Sequence, residues 1–345
     1  MKKNATLIDV AMLSGVSVGT VSKFLNGGNV KKANRISIQN AIEVLDYSPN
    51  HVARNFARGK SNVVTLFILM ESPIVSSTWV HEQPIIQAIT DAIRTTEYCM
   101  QMRIASIEDS LANKQEIEEI IRSRIADGII LLSAWEIDRT IIATLDYHNF
   151  PFVMIGSGED TKRGELVDFD NSAPIYSLVS QLCELGHRRF ALIGGFREQI
   201  HMMKREKGFR KALKDAGIEV NEEMIRFGDY SLESGFQLTA KMLCQTNPPT
   251  AIICGNDNVA AGAIKAIRKA GLRIPEDISV SGFDDSVISE AVDPTITTVR
   301  PPAYELGKVA FTQLHMKLGN ASYSIPNIIL DSTLLLKEST AKCKK

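Results

Sequence analysis

Residues 6–26, Thr-Leu-Ile-Asp-Val-Ala-Met-Leu-Ser-Gly-Val-Ser-Val-Gly-Thr-Val-Ser-Lys-Phe-Leu-Asn, carry the chain's most concentrated chemistry. Thr6 with Asp9 three residues on is a helix start, Ile8, Val10, Ala11 and Leu13 supply an apolar face, and Ser14-Gly15 ends the helix. Ser17 caps a second helix, onto which Val16 can staple. Val21 and Leu25 point inward at i, i+4, which leaves Val18, Gly19, Ser22 and Lys23 together on the opposite face until Asn26-Gly27-Gly28 closes the helix. Such a hairpin suits contact with nucleic acid. The hydroxyls of Ser17, Thr20 and Ser22 can hold phosphates, and Lys23 can donate to guanine. Direct base reading would be sparse, because Val18 and Gly19 bring no hydrogen-bonding side chain.

Charge agrees with that placement. Residues 1–60 hold nine Lys or Arg against three acids, whereas the remainder holds 30 against 37, so a near-neutral chain is basic at one end only. After Ser48-Pro49, Asn50 to Ser61 sets Arg54, Arg58 and Lys60 around a small apolar stripe of Val52, Ala53, Phe56 and Ala57. About two turns long, it is marginal as an isolated helix and reads as a linker that orders against a partner chain and DNA.

With these segments in view, the chain resembles the LacI/GalR family of bacterial transcription regulators, from Thr6 to about Thr340. The motifs are the recognition-helix pattern at Ser17 to Asn26, Asn-x-x-Ala-Arg at Asn50, Ala53 and Arg54, and a series of later phrases. These are Asp127-Gly128-Ile129-Ile130, Gly186-His187-Arg188-Arg189, Arg205-x-x-Gly208-Phe209, Gly282-Phe283-Asp284-Asp285 and Thr297-Thr298-Val299-Arg300. The resemblance implies that Thr6, Ser17, Val18, Gly19, Thr20, Ser22, Lys23, Asn26, Asn50, Ala53, Arg54 and Phe56 meet operator DNA. Phe56 stands where the family usually has leucine, a side chain that wedges into the minor groove.

The elements behind these motifs follow from periodicity. From residue 62 apolar runs alternate with amphipathic helices. Strands are predicted at Val63–Leu69, Met102–Ile107, Gly128–Leu132, Phe152–Ile155, Phe190–Gly194, Met224–Gly228, Ala251–Cys254 and Ile278–Gly282. Asp168-Phe169-Asp170-Asn171 reads as a crossing point. The expected fold class is α/β: an N-terminal all-α helix-turn-helix DNA-binding domain (1–49), a hinge (50–61), and a two-lobed periplasmic-binding-protein-like body of parallel sheets (62–340). Lobe one covers 62–169 plus about 301–329, and lobe two 170–298 plus about 330–340.

Ligands of open parallel sheets bind beyond the strands' carboxyl ends, where Glu71, Trp135, Glu136, Asn256–Asn258 and Asp284-Asp285 fall. By resemblance Arg205, Asn256 and Asp284 contact the effector; a guanidinium, an amide and a carboxylate together satisfy vicinal hydroxyls. Asn258 and Asp170 are further candidates, and Trp79 and Trp135, the only tryptophans, can stack on a sugar face. The family commonly has Asn-Pro-aromatic-aromatic where this chain has Glu71-Ser72-Pro73-Ile74-Val75, so first-lobe contacts do not carry across.

Other classes find little support. There is no Walker loop, Gly-x-Gly-x-x-Gly, Gly-x-Ser-x-Gly or His-Glu-x-x-His, and six scattered histidines show no metal spacing, so neither enzyme chemistry, cofactor nor metal is expected. Five scattered cysteines read as buried small hydrophobes in a reducing cytosol. The amino terminus lacks a signal core and no apolar run is long enough to span a bilayer, which places the chain in the cytoplasm, away from membranes. The implied protein is a homodimeric, ligand-responsive DNA-binding regulator without a leucine-heptad tail. It would be a repressor of a carbohydrate-utilisation operon with a sugar or sugar derivative as effector. The alternatives are a cytoplasmic sugar-binding protein, for which residues 6–60 are superfluous, and a nucleotide-using enzyme, which lacks its phosphate loop.

Overall fold

In the computed structural model, residues 5–25, 27–47, 60–71, 79–156 and 164–344 are described. Asn26, Asn50, Ala53, Arg54, Phe56 and the side chain of Trp79 lie outside them. The chain divides into two units, residues 1–61 and 62–345.

The first unit is helical. α1 (Leu7–Ser14) begins in a reciprocal cap, with the Asp9 amide donating to Thr6 Oγ1 at 3.3 Å and the Thr6 amide to Asp9 Oδ2 at 2.8 Å. Gly15 ends it at φ 68°, a left-handed conformation that glycine adopts without penalty. α2 (Val18–Leu25) then leaves at 108° to α1, within the range of helix-turn-helix corners. A third helix not expected from the sequence, α3 (Lys32–Leu45), brings Ile38 and Ala41 to complete a core with Val10, Ala11 and Val21. That third helix also corrects the face of α1. Leu7, Val10, Ala11 and Ser14 form the i, i+3, i+4, i+7 stripe that packs inward, while Ile8 and Leu13 lie off it and are exposed.

The second unit holds β1 (Val63–Met70), α4 (Trp79–Ile93), β2 (Cys99–Ser106), α5 (Ser110–Arg122), β3 (Gly128–Ser133), α6 (Arg139–Tyr147), β4 (Phe152–Ile155) and β5 (Leu166–Phe169). These are followed by α7 (Ser172–Glu184), β6 (Phe190–Gly194), α8 (Ile200–Asp215), β7 (Ile225–Phe227), α9 (Leu232–Leu243), β8 (Ala251–Cys254), α10 (Asp257–Lys269), β9 (Ser279–Ser281) and α11 (Val287–Ala291). The last elements are β10 (Thr298–Arg300), α12 (Ala303–Gly319), β11 (Ile328–Leu330) and β12 (Thr333–Leu335). One sheet runs β11-β5-β4-β3-β1-β2, a second runs β7-β6-β8-β9, both parallel, and β10 pairs antiparallel with β12. Continuous apolar runs are what such strands require, because helices cover both faces. Val64, Leu66, Ile68 and Met70 of β1 enter one core, whereas Phe67 and Leu69 enter the core on the other face.

The chain changes sheet after β5, after β9, after β10 and after β11. The stretch 166–169 is therefore a strand, and the crossing itself falls at Asp170 and Asn171. In register, Leu69 lies beside Ala105 and Ser133, and Leu132 beside Ile155, so the carboxyl ends of β1, β2, β3 and β4 meet along one edge. No disulfide joins the five cysteines. Cys183 and Cys254 are buried as expected, but Cys99 and Cys244 are exposed, because one sits on edge strand β2 and the other just past α9.

α7 and α8 pack closely at Gly208, where an added Cβ would meet the Ser172 carbonyl oxygen at 2.3 Å. Gly208→Ala should therefore lower the unfolding free energy of the full chain by about 1–3 kcal/mol in urea melts, the usual cost of overpacking. An unchanged midpoint would show that α7 shifts without cost.

Candidate functional site

On the recognition hairpin, Ser17 Oγ accepts from the Thr20 amide at 3.2 Å and lies 2.9 Å from Thr20 Oγ1, so the two hydroxyls cap the helix they begin. The Thr6 hydroxyl is likewise held, donating to Asp9 at 2.7 Å. Val18, Gly19 and Lys23 are exposed and Ser22 is half-buried, which leaves one open face beside the buried Val21. Gly28 lets the Lys23 stem lie against the turn; a Cβ there would meet Lys23 Cγ at 2.6 Å.

In the body, a cleft opens at the carboxyl ends of the strands. An apolar chamber is walled by Ile68, Met70, Ile85, Leu132, Ile155 and Phe169, with Trp135 and Phe196 at one side, their rings 5.5 Å apart. A polar chamber adjoins it through His81, Glu82, Gln199 and His201, and adds Arg205, Tyr230, Asn256 and Asp284. Both lobes contribute. The predicted Arg205, Asn256, Asp284 and Trp135 come together here, whereas Asn258 and Asp170 line neither chamber. Asp170 is used otherwise, its carboxylate accepting from the Ser172 and Ala173 amides at 2.7 and 3.0 Å to cap α7. Asn258 lies within the first turn of α10.

Each polar group is set by its neighbours. Asn256 caps α10 through the Val259 amide at 2.9 Å and donates to the Tyr230 carbonyl at 3.3 Å. Arg205 is buried, donating to Asn171 Oδ1 at 2.9 Å and to the Gly255 carbonyl at 2.6 Å, with its guanidinium 3.5 Å above the Phe283 ring. Asp284 has φ 107°, a strained value outside glycine. Its Oδ1 forms an ion pair with His81 Nε2 at 2.6 Å. Burial works against a charged His81, but Asp284 outweighs it and raises the imidazole. Burial, reinforced by Asp284, lifts both Glu82 and Asp257 to about 7, although Thr298 and Ser286 donate to Asp257.

A second link joins the lobes beneath the cleft. Asp168, fully buried on β5, accepts from Lys204 at 2.7 Å and from His201 at 3.3 Å, both on α8. Burial opposes its charge, but the two partners hold it down at about 2, while burial lowers His201. His81, Glu82, Gln199, His201 and Tyr230 escaped the sequence reading. The strand-end rule finds residues just after a strand, whereas His81 and Glu82 enter from the first turn of α4, ten residues on. Among the described residues no group of acids, histidines or cysteines is placed to hold a metal, and no single helix is long and apolar enough to cross a membrane.

A corner of helices with an open polar face, followed by two parallel sheets enclosing a ligand-sized cleft, defines a DNA-binding regulator with a periplasmic-binding-protein-like body. Residues 6–50 match the model of bacterial regulatory proteins, lacI family, and residues 179–340 that of the periplasmic binding protein-like domain. Catabolite control protein A of Priestia megaterium is 30% identical over 98% of this chain and 99% of its own length. The HTH-type transcriptional repressor PurR of Erwinia tasmaniensis is 32% identical over 98% of this chain and 97% of its own length. The solved lac repressor dimer bound to operator and the anti-inducer ONPF superposes with TM-score 0.84 at 27% identity, covering 98% of this chain and all of that one. The complex of the regulator CelR with cellobiose gives 0.71, also at 27%, over 97% and 99%. The chain belongs to the lacI family of bacterial regulatory proteins, a family of DNA-binding transcriptional regulators.

Asp168 supplies the pH test. Its carboxylate is lowered from 3.8 to about 2, so it contributes about 2 kcal/mol that is complete above pH 4 and lost as pH falls through 2. Urea melts at pH 7 should show Asp168→Asn less stable by about that amount, with the gap to the parent narrowing below pH 4. A gap independent of pH would mean that shape, not charge, is what Asp168 supplies.

Proposed function

We propose that the protein is a homodimeric repressor that presents two copies of α2 to a pseudo-palindromic operator and is switched by a small molecule bound between the lobes. The observation that carries this reading is the cleft itself, built by both lobes and crossed by charged contacts, in a chain that also bears a recognition hairpin. A ligand seated there changes the interlobe contacts and, through the lobes, the spacing of the hairpins.

A carbohydrate or carbohydrate derivative is the favoured effector class. Relatives whose names or complexes concern cellobiose and ONPG support it, as do the aromatic Trp135 and Phe196 beside polar Gln199, Asn256 and Arg205. On this reading Thr6, Ser17, Thr20, Ser22 and Asn26 serve the phosphate backbone, and Val18, Gly19 and Lys23 meet base edges. The hinge residues Asn50, Ala53, Arg54 and Phe56 follow from the family resemblance alone. The protein acts in the cytoplasm, catalyses no reaction and needs no cofactor.

The test is selection of duplexes from a random pool by the full chain, followed by anisotropy titrations. A two-fold symmetric consensus and salt-dependent binding are expected. Lys23→Ala should lose about 1–3 kcal/mol of discrimination at one base pair per half-site and leave the other positions unchanged. A preference profile identical to the parent's would remove Lys23 from base reading, and failure to enrich any duplex would end the repressor reading.

A further inference from the structure

The cleft carries more carboxylate than its cations can balance. Glu71, Glu82 and Asp284 line it, against Arg205 and the imidazole of His81. Lys204 is turned to Asp168 and Arg205 is clasped by Asn171, the Gly255 carbonyl and Phe283. One oxygen shows the imbalance directly. Glu82 Oε2 is buried and receives no hydrogen bond, while Asp284 Oδ1, also buried, has only the His81 imidazole 2.6 Å away as its ionic partner. They belong to opposite lobes and both side chains line the polar chamber. A buried acceptor left without a donor is costly, and a buried carboxylate more so. Burial lifts Glu82 to about 7 and also raises Glu71, with Glu108 and Glu198 adding to the latter, as expected where one sign of charge accumulates.

Ligand chemistry follows from these groups. A phosphorylated or carboxylated ligand would add to the excess negative charge. A neutral polyol could donate to the two oxygens but would leave the charge uncorrected. A cation with N–H donors answers both needs, and the faces of Trp135, Phe196 and Tyr230 suit its approach. The adjoining chamber, walled by Ile68, Ile85, Leu132 and Phe169, requires an apolar body.

We propose that the effector carries a protonated amine beside an apolar group, the amine seated between Glu82 and Asp284 and the apolar group in the neighbouring chamber. The proposal rests on the reading of the cleft as the effector site and narrows it from carbohydrate derivatives in general to those bearing a basic nitrogen.

The experiment is calorimetry and thermal denaturation of the full chain at pH 7.5 with matched probes that differ only in the amine. The pairs are phenyl β-D-glucosaminide with phenyl β-D-glucoside, and 2-phenylethylamine with 2-phenylethanol; glucose 6-phosphate is the anionic control. The amine of each pair should bind at least about tenfold more tightly than its hydroxyl twin, as a charge-assisted hydrogen bond requires. Glu82→Gln should erase that preference without lowering the melting temperature of the ligand-free chain. The proposal is overturned if the hydroxyl twins bind as well, if glucose 6-phosphate binds more tightly than either amine, if no amine binds, or if Glu82→Gln keeps the preference. Operator titrations with the same probes separate the two claims. A neutral sugar that shifts operator affinity leaves the effector reading standing while refuting the amine, whereas operator binding indifferent to every probe counts against both.

Discussion

A single carboxylate that water does not reach sets the relation between the two lobes of the body. Asp168, the penultimate residue of β5 in lobe one, accepts from Lys204 and His201 on α8 of lobe two. Burying a charge is tolerable only when partners compensate it, and here the partners come from across the cleft. Separating the lobes would strand a buried anion, so the electrostatics of one residue favour one interlobe angle. The contacts above it share that dependence. His81 meets Asp284, the Ile200 amide donates to the Ala134 carbonyl, and Phe169 lies 5.0 Å from His201 and 6.5 Å from Phe283, ring to ring.

The two interlobe pairs are not equivalent. At Asp168 the charge is fully answered and the carboxyl is held far below its ordinary range. At Asp284 the backbone is strained, one oxygen has only the His81 imidazole beside it, and nearby acids are driven up towards neutrality. The first pair fixes geometry, and beside the second Glu82 Oε2 is buried without a hydrogen bond. A site poised to take up a ligand combines these properties, because binding then satisfies groups that the empty cleft does not.

Much of this was legible in the sequence, for physical reasons that differ by element. The Thr6/Asp9 cap, the Gly15 corner and the β1 run are local signals with strong steric or periodic causes, and they appear where expected. The helix α3 was passed over, and the inward stripe of α1 was misassigned, because which face is buried depends on a neighbour 30 residues away. The strands β11 and β12 are three residues long and pair with distant partners, so no periodicity marks them. In the cleft, the strand-end rule located Trp135, Asn256 and Asp284 but also offered Asn258, and Asp170 stood beside it as a further candidate. Chain position alone cannot tell a ligand contact from a helix cap. His81 and Glu82 arrive on a helix, and only the packing of α4 over the strand ends brings them in.

The central claim, that buried charge at Asp168 holds the lobes at one angle, is tested most directly by pulsed electron resonance between spin labels on the exposed Cys99 of lobe one and Cys244 of lobe two, with Cys343 replaced by serine. With labelled chain diluted into unlabelled chain, a single narrow distribution between the two labels of one protomer is expected for the parent, and a broadened or shifted one for Asp168→Asn under conditions where both remain folded. Identical distributions for the two chains would contradict the account.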